Sequence, residues 1–213
     1  MPANVITQLL AWMVDPTVFP SLLTAIQSQL QRSRSLYEVL SCEVTLGLVD
    51  VKGREAIYRK VQKVRFLQDH VIAYEDQAWG DGKLFADYKC SPGIPVDRYQ
   101  DGNRWRVLIS LRESKSRGDV EEFHIRRKIE EGFTKPVEYL HTRIDHPTHL
   151  LVIRVVFPAQ RLPRRIILIE QNASRTTELG IAHIQTLPDK RQMVEWETKR
   201  PRRFEMYTLR WEW

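Results

Sequence analysis

Cysteine is scarce in this sequence. Only Cys42 and Cys90 occur among its 213 residues, and no C-x-x-C pair or cysteine–histidine spacing suited to zinc is present, which argues against a small disulfide-stapled secreted domain. Long apolar runs are missing too, because Asp15 and Pro16 interrupt the apolar stretch of the first 35 residues. The sequence therefore predicts neither a signal peptide nor a transmembrane segment, and it favours a cytoplasmic location.

Catalytic signatures are absent as well. The chain contains no G-x-S-x-G, no P-loop and no G-x-G-x-x-G, so neither a serine hydrolase elbow nor the common phosphate cradles are indicated. Both cysteines lack the local surroundings of cysteine peptidase nucleophiles. These absences favour a protein that is not an enzyme and that needs no cofactor.

Charge is abundant but nearly balanced. The chain has 33 basic and 27 acidic residues, a net charge of +6 and a pI near 9.4. The two signs are mixed along the chain, so the basic excess favours acidic partners only mildly.

Residues 1–35 differ in pattern from the rest. Apolar residues recur at helical spacing before Asp15, and Asp15-Pro16 can begin a second helix that runs to about Arg32. This predicts an N-terminal α-helical hairpin followed by a second unit at 36–213. The hairpin would cap that unit, lie on a membrane, or bind another protein, and the last is preferred. Its candidate partner-binding residues are Trp12, Met13, Val18 and Phe19.

From Leu36 onward the apolar period changes to two, which is typical of strands. Turn sequences recur at short intervals, so the pattern predicts a mainly β unit, an antiparallel β-sandwich or partly open barrel of about ten strands. A long hairpin is expected around Asp50–Gly53. The stretch Trp79-Gly80-Asp81-Gly82-Lys83 is typical of another tight hairpin, and that explanation is favoured over paired catalytic carboxylates.

Basic side chains alternate with apolar ones in two of the predicted strands, so they should share outer sheet faces. A further basic group precedes the last strand. Such surfaces can bind phosphates, but the same pattern also protects a solvated sheet face against edge pairing. The candidate basic-surface residues are Arg59, Lys63, Arg65, His124, Arg126, Lys128, Lys199, Arg200, Arg202 and Arg203.

Three histidines and one aspartate lie close together in the sequence, at His141, Asp145, His146 and His149. Imidazole and carboxylate groups bind divalent metals, so the four would form a site if the chain turned back on itself here. Asp-His-Pro is also an ordinary turn initiator, and the spacing matches no common metal motif. No metal site is therefore predicted, and these four residues are its only candidates.

The last strand of the chain is rich in aromatic residues. By strand parity Tyr207, Leu209 and Trp211 share a face opposite to Arg210. A nucleic-acid surface would need aromatic and basic residues on one side. We therefore expect these three residues to be buried, with partners for the tyrosine hydroxyl and the indole N–H.

Three functions are compatible with these observations. The preferred one is a non-catalytic binding module, a regulatory or adaptor subunit of a larger cytosolic protein assembly. The alternative is RNA or single-stranded DNA binding through the basic sheet faces, which counterion release would make strongly salt-dependent. The third is a metal-dependent hydrolase built on the histidine and aspartate candidates.

Overall fold

The structure, a computed structural model, describes residues 35–213. The predicted helical hairpin and its candidate residues Trp12, Met13, Val18 and Phe19 fall outside this range. In the described part of the chain, no helix is long and apolar enough to span a membrane.

Strands make up most of the described chain. A single 3-10 turn, Ile181–His183, is its helical element. The strands are β1 (Tyr37–Leu48), β2 (Glu55–Phe66), β3 (Val71–Ala78), β4 (Lys83–Ser91), β5 (Ile94–Asp101), β6 (Arg104–Lys115), β7 (Val120–Glu130), β8 (Val137–Arg143), β9 (Leu150–Phe157), β10 (Arg165–Glu170), β11 (Arg175–Glu178), β12 (Ile184–Thr186), β13 (Gln192–Lys199) and β14 (Met206–Glu212).

The strands form three sheets. The large sheet has the order β12-β13-β9-β1-β2-β7-β4, the second β11-β10-β14-β8, and the third β3-β6-β5. All pairings between these strands are antiparallel except β1 with β9. The mainly β, antiparallel prediction is confirmed, but a two-layer sandwich or barrel of about ten strands is not what forms. The four-residue strand β11 was missed, because so short a segment shows too little alternation to detect.

The long hairpin of β1 and β2 forms as predicted, with Leu46 opposite Tyr58. Its turn is held by Asp50, whose carboxylate accepts the main-chain N–H groups of Lys52 and Glu55, both at 2.7 Å. Gly53 supplies the positive φ of 70° that the turn requires. One face of this hairpin is buried, which fixes its register.

The predicted hairpin at Trp79–Lys83 is wrong. β3 pairs with β6 in the third sheet, whereas β4 pairs with β7 in the large sheet, so the segment crosses between sheets. Gly82 has a φ of 75°, and a Cβ there would lie 2.2 Å from the main-chain oxygen of Glu130. The glycine is therefore required by a close approach of backbones and not by a two-residue turn.

The last strand is buried as predicted: Tyr207, Leu209 and Trp211 are all nearly inaccessible. The Tyr207 hydroxyl accepts the main-chain N–H of Arg202 at 3.1 Å. The expectation for the indole was wrong, since Nε1 of Trp211 is buried without a hydrogen-bond partner among the described residues. Trp211 instead packs on Phe133 and Phe157, with ring centroids 5.8 and 5.6 Å apart.

Candidate functional site

A cleft opens where the three sheets meet. It contains two cavities of about 70 and 40 Å³, which we call cavity 1 and cavity 2. The two cavities share four lining residues: Tyr58 of β2, Gln77 of β3, Trp79 after β3, and His141 of β8. The cleft is therefore one continuous feature built from all three sheets.

One wall of the cleft is the free edge of β8. This strand is the outermost of its sheet and pairs only with β14. Consecutive residues line the cleft, from Glu138 to His141 in cavity 2 and from His141 to His146 in cavity 1. A strand presents alternate residues when its face lines a space. An unbroken run shows that the edge of β8 lines it.

The main-chain groups of β8 divide between two sides. The N–H of Ile144 donates to the Glu205 oxygen at 3.0 Å, and the Pro136 oxygen accepts the Trp213 N–H at 3.1 Å. The main-chain groups of even-numbered residues in β8 therefore bond to β14. In an antiparallel strand successive residues direct their main-chain groups to opposite sides. The N–H and C=O groups of Tyr139 and His141 consequently point toward the free edge.

The floor of the cleft contains a buried ion pair. Nζ of Lys60 lies 2.5 Å from Oδ1 of Asp76, with side chains 11% and 0% exposed. The Tyr88 hydroxyl donates to the other Asp76 oxygen at 3.1 Å, and Tyr74 donates to Gln62 at 2.7 Å. Burial works to raise the pKa of Asp76, but the charges of Lys60 and Arg127 outweigh it and hold that pKa low. The pair is therefore ionised at neutral pH.

Arg127 is a second buried cation beside the cleft. It lies on the inner face of β7, lines cavity 2 and is 3% exposed. Its guanidinium stacks 4.1 Å from the ring centroid of Tyr58. Two of its nitrogens, Nε and Nη1, are buried with no hydrogen-bond acceptor among the described residues.

The histidines at the cleft are neutral at pH 7. Burial lowers the pKa of His141, and it lowers that of His146 to about 4 against a small opposing effect of Asp145. His146 packs on Tyr37 with ring centroids 4.1 Å apart. Burial also raises the pKa of the Cys42 thiol, which lines cavity 1, to about 11. That thiol is therefore not a thiolate nucleophile at neutral pH.

The four metal candidates have separate partners. Nδ1 of His141 lies 2.7 Å from the Thr208 hydroxyl. Asp145 accepts from Nε of Arg143 at 2.9 Å. Nε2 of His149 lies 3.0 Å from Glu38, and His146 packs on an aromatic ring. Within residues 35–213, no three His, Cys, Asp or Glu side chains come together in a group that could hold a metal.

The basic residues of β2 and β7 lie on the outer face of the large sheet, away from the cleft. Arg59 is directly opposite Arg126 across the two strands. Acidic neighbours pair with four of the six: Arg65 with Glu38, His124 with Glu122, Arg126 with Asp87, and Lys128 with Glu55.

The basic segment before β14 is a loop joining two sheets. Lys199 ends β13, and the Arg200 N–H donates to the His149 oxygen at 2.7 Å. Nε of Arg203 donates to the Asp145 main-chain oxygen at 3.1 Å. Arg202 contributes its main-chain N–H to Tyr207, so part of this segment holds the last strand in place.

The residues that shape the cleft were missed in the sequence, although their parity was available. Lys60 shares the inner face of β2 with Tyr58 and Val64, and Arg127 shares the inner face of β7 with Ile129. A charged residue at a position that alternation assigns to the core is the signal that could have found them.

Solved structures share this fold. A two-domain M1 zinc metallopeptidase bound to L-tryptophan aligns with 83% of this chain at a TM-score of 0.51 and 10% identity. A putative protease from Parabacteroides distasonis aligns with 85% at a TM-score of 0.50 and 9% identity. Aminopeptidase A of Legionella pneumophila aligns with 86% at a TM-score of 0.50 and 11% identity.

The chain spans only part of each of these proteins: 43%, 41% and 22% of their lengths, respectively. At these identities the likeness shows the fold alone. No family model and no curated protein sequence matches the chain.

The fold of residues 36–213 is thus one found in peptidases, and this overturns the function predicted from the sequence. The prediction of a regulatory or adaptor module, with nucleic-acid binding as its alternative, is wrong. The third hypothesis, a metal-dependent hydrolase, is not supported either. Its four candidate residues have separate partners: His141, Asp145, His146 and His149. Zinc, which the name of the metallopeptidase implies, does not fit the described residues, which supply no set of ligands for it.

Proposed function

We propose that this chain takes part in peptide hydrolysis as the β-domain of a peptidase, and that its cleft holds an extended peptide substrate against the free edge of β8. The observation that carries the proposal is the unbroken run of β8 residues along the cleft. The likeness of the fold to peptidase domains supports the same substrate class. In this proposal the hydrolytic centre lies outside residues 35–213.

An exposed strand edge recognises a peptide by adding it to the sheet. Main-chain hydrogen bonds provide affinity, and pockets for alternate side chains provide specificity. The free edge offers the N–H and C=O groups of Tyr139 and His141. Cavities 1 and 2, of about 70 and 40 Å³, adjoin this edge, and Trp79 lines both. A metallopeptidase from Deinococcus radiodurans with this fold, at a TM-score of 0.50, was solved with a Tyr-Ser-Ala substrate bound.

The proposal is tested with two modified peptides. A five-residue peptide of alternating valine and threonine is prepared in three forms: unmodified, N-methylated at its odd amides, and N-methylated at its even amides. Only one set of amides can face β8, because successive main-chain groups of a strand alternate in direction. We expect one methylated form to lose binding to the full-length protein and the other to keep it, as measured by calorimetry.

A matched pair of protein variants checks the location. Tyr139→Pro removes an N–H that faces the free edge without removing a bond to β14, so it should abolish binding of the unmodified peptide. Tyr139→Val keeps that N–H and should preserve binding. Equal binding of both methylated peptides, or of the peptide to the proline variant, would show that the edge of β8 is not the binding element.

A further inference from the structure

Cavity 2 carries an electrostatic feature that a peptide main chain does not use. Its lining mixes apolar residues, among them Leu84, Ile129, Phe133 and Leu140, with polar ones, and the polar residue Arg127 is only 3% exposed. An arginine in such surroundings is normally paired with a carboxylate or fully hydrogen-bonded. Arg127 has neither arrangement for Nε and Nη1.

The nearby carboxylates do not supply the missing partner. Asp76 is already paired with Lys60 at 2.5 Å and accepts from Tyr88. Glu138 also lines cavity 2, but its carboxylate accepts the main-chain N–H of Lys135 at 2.6 Å and forms no ion pair with Arg127. Asp81 is paired with the Lys135 side chain. Asp76 is therefore the one nearby carboxylate for two cations, Lys60 and Arg127, and the group keeps one excess positive charge.

Aromatic contacts hold the guanidinium in place. Its carbon lies 4.1 Å from the ring centroid of Tyr58 and 5.4 Å from that of Phe85. A guanidinium over an aromatic ring is attracted by the ring face while its in-plane N–H groups stay free to bond an anion. A carboxylate oxygen can accept such an N–H group in a charge-assisted hydrogen bond.

We infer that cavity 2 binds a carboxylate of the peptide, with Arg127 as its specificity-determining residue. The inference rests on the proposed peptide-binding function and names its substrate class: peptides that bring either an α-carboxylate or an acidic side chain into cavity 2. Binding removes the unpaired charge, whereas a neutral amide at the same position leaves it unpaired.

Three peptides distinguish the two sources of the carboxylate. The first is the alternating valine–threonine peptide with a free α-carboxylate, the second is its C-terminal amide, and the third is that amide with one internal glutamate. We expect the full-length protein to bind one of the two carboxylate peptides about tenfold more tightly than the plain amide. The preferred peptide identifies the source.

Arg127→Met and Arg126→Met form a matched pair on adjacent positions of β7. Arg126 lies on the outer face and pairs with Asp87, so its loss changes the net charge equally without touching the cavity. The carboxylate preference should disappear in Arg127→Met and persist in Arg126→Met. The comparison of acid with amide on the native chain does not depend on either variant folding.

The outcomes separate this inference from the function on which it rests. Equal binding of all three peptides to the native protein overturns the carboxylate site and leaves peptide binding intact. Absence of any peptide binding overturns the proposed function, and the site is then tested with acetate alone. Sodium acetate should raise the melting temperature of the native protein more than sodium chloride at the same ionic strength, and more than acetamide at the same concentration. An equal effect of all three compounds would refute the carboxylate site.

Discussion

Removing one partner of the buried Lys60–Asp76 pair should cost far more stability than removing both. In Asp76→Asn the ammonium of Lys60, 11% exposed, loses the carboxylate 2.5 Å away and keeps its desolvation penalty. Breaking a buried pair in this way costs about 3–5 kcal/mol. In the double variant Lys60→Met/Asp76→Leu the Lys60 ammonium is removed as well, so the loss should stay below that of Asp76→Asn. The remaining loss comes from the Tyr88 hydroxyl, which loses its acceptor, and from Arg127, which loses the nearby negative charge of Asp76.

The assay is urea unfolding of the full-length protein, followed by far-UV circular dichroism, for the native chain, Asp76→Asn, Lys60→Met and the double variant. The pH dependence gives a second readout. In Asp76→Asn an unpaired, buried Lys60 has a folded-state pKa below its unfolded value, so stability rises with pH through that window. The difference in the free energy of unfolding between the native chain and Asp76→Asn should therefore become smaller between pH 7 and pH 10. A loss below about 1 kcal/mol in the single variants, or a double variant less stable than either single variant, would show that Lys60 and Asp76 do not form a buried, desolvated pair.

Three further perturbations have defined outcomes. Gly82→Ala should lower the free energy of unfolding by about 2 kcal/mol or more, since its Cβ would lie 2.2 Å from the Glu130 main-chain oxygen. The control Gly102→Ala has no atom within 4 Å of its Cβ and should lose about 1 kcal/mol, because its φ is 63°. Equal losses of the two variants in urea unfolding would contradict the steric explanation. Trp211→Ala should cost about 3–5 kcal/mol because the side chain is 1% exposed, and a loss under 1 kcal/mol would place it outside the core. His146 has a pKa of about 4 when folded, below its unfolded value, so its stability contribution is complete above about pH 6.5 and is lost as pH falls toward 4. Through His146, acidification from pH 7 to 5 should lower the free energy of unfolding by at most about 2 kcal/mol. His146→Phe should remove this part of the pH dependence, and an unchanged pH dependence in the variant would show that His146 is solvated.

Individual strands were predictable where alternation was long and clear. The bounds of β7, Val120–Glu130, coincide with the stretch in which Phe123, Ile125 and Ile129 alternate with polar and charged residues. Burial of Tyr207 and Leu209 followed from parity in the last strand. In each case the information is local, because one buried face fixes every second residue.

The arrangement of the strands into three sheets was not predictable in this way. Gly80-Asp81-Gly82 has the composition of a hairpin turn, but the partner of β3 is β6, which lies about thirty residues further along the chain. Turn chemistry is local, whereas strand pairing is decided by long-range packing. The cleft could not be found from the sequence for the same reason, since its residues come from β1, β2, β3, β4, β7 and β8.

The charged residues at the floor of the cleft were predictable in part: their burial could be inferred from the sequence, but their partners could not. Lys60 and Arg127 occupy positions that strand parity assigns to the interior, so their burial was available from the same alternation that located Tyr58 and Ile129. What alternation could not supply was their partners. Asp76 pairs with Lys60, whereas Nε and Nη1 of Arg127 have no acceptor among residues 35–213, and this difference is what points to a ligand.

Amide hydrogen exchange of β8 shows whether an extended peptide adds to the free edge of this strand. If an extended peptide adds to the free edge, the amides of Tyr139 and His141 should exchange quickly in the free protein and become strongly protected at saturating peptide. The amide of Leu140, which faces β14, should be protected in both states and serves as the internal control. Peptide binding that leaves the Tyr139 and His141 amides as exchangeable as before would contradict the account.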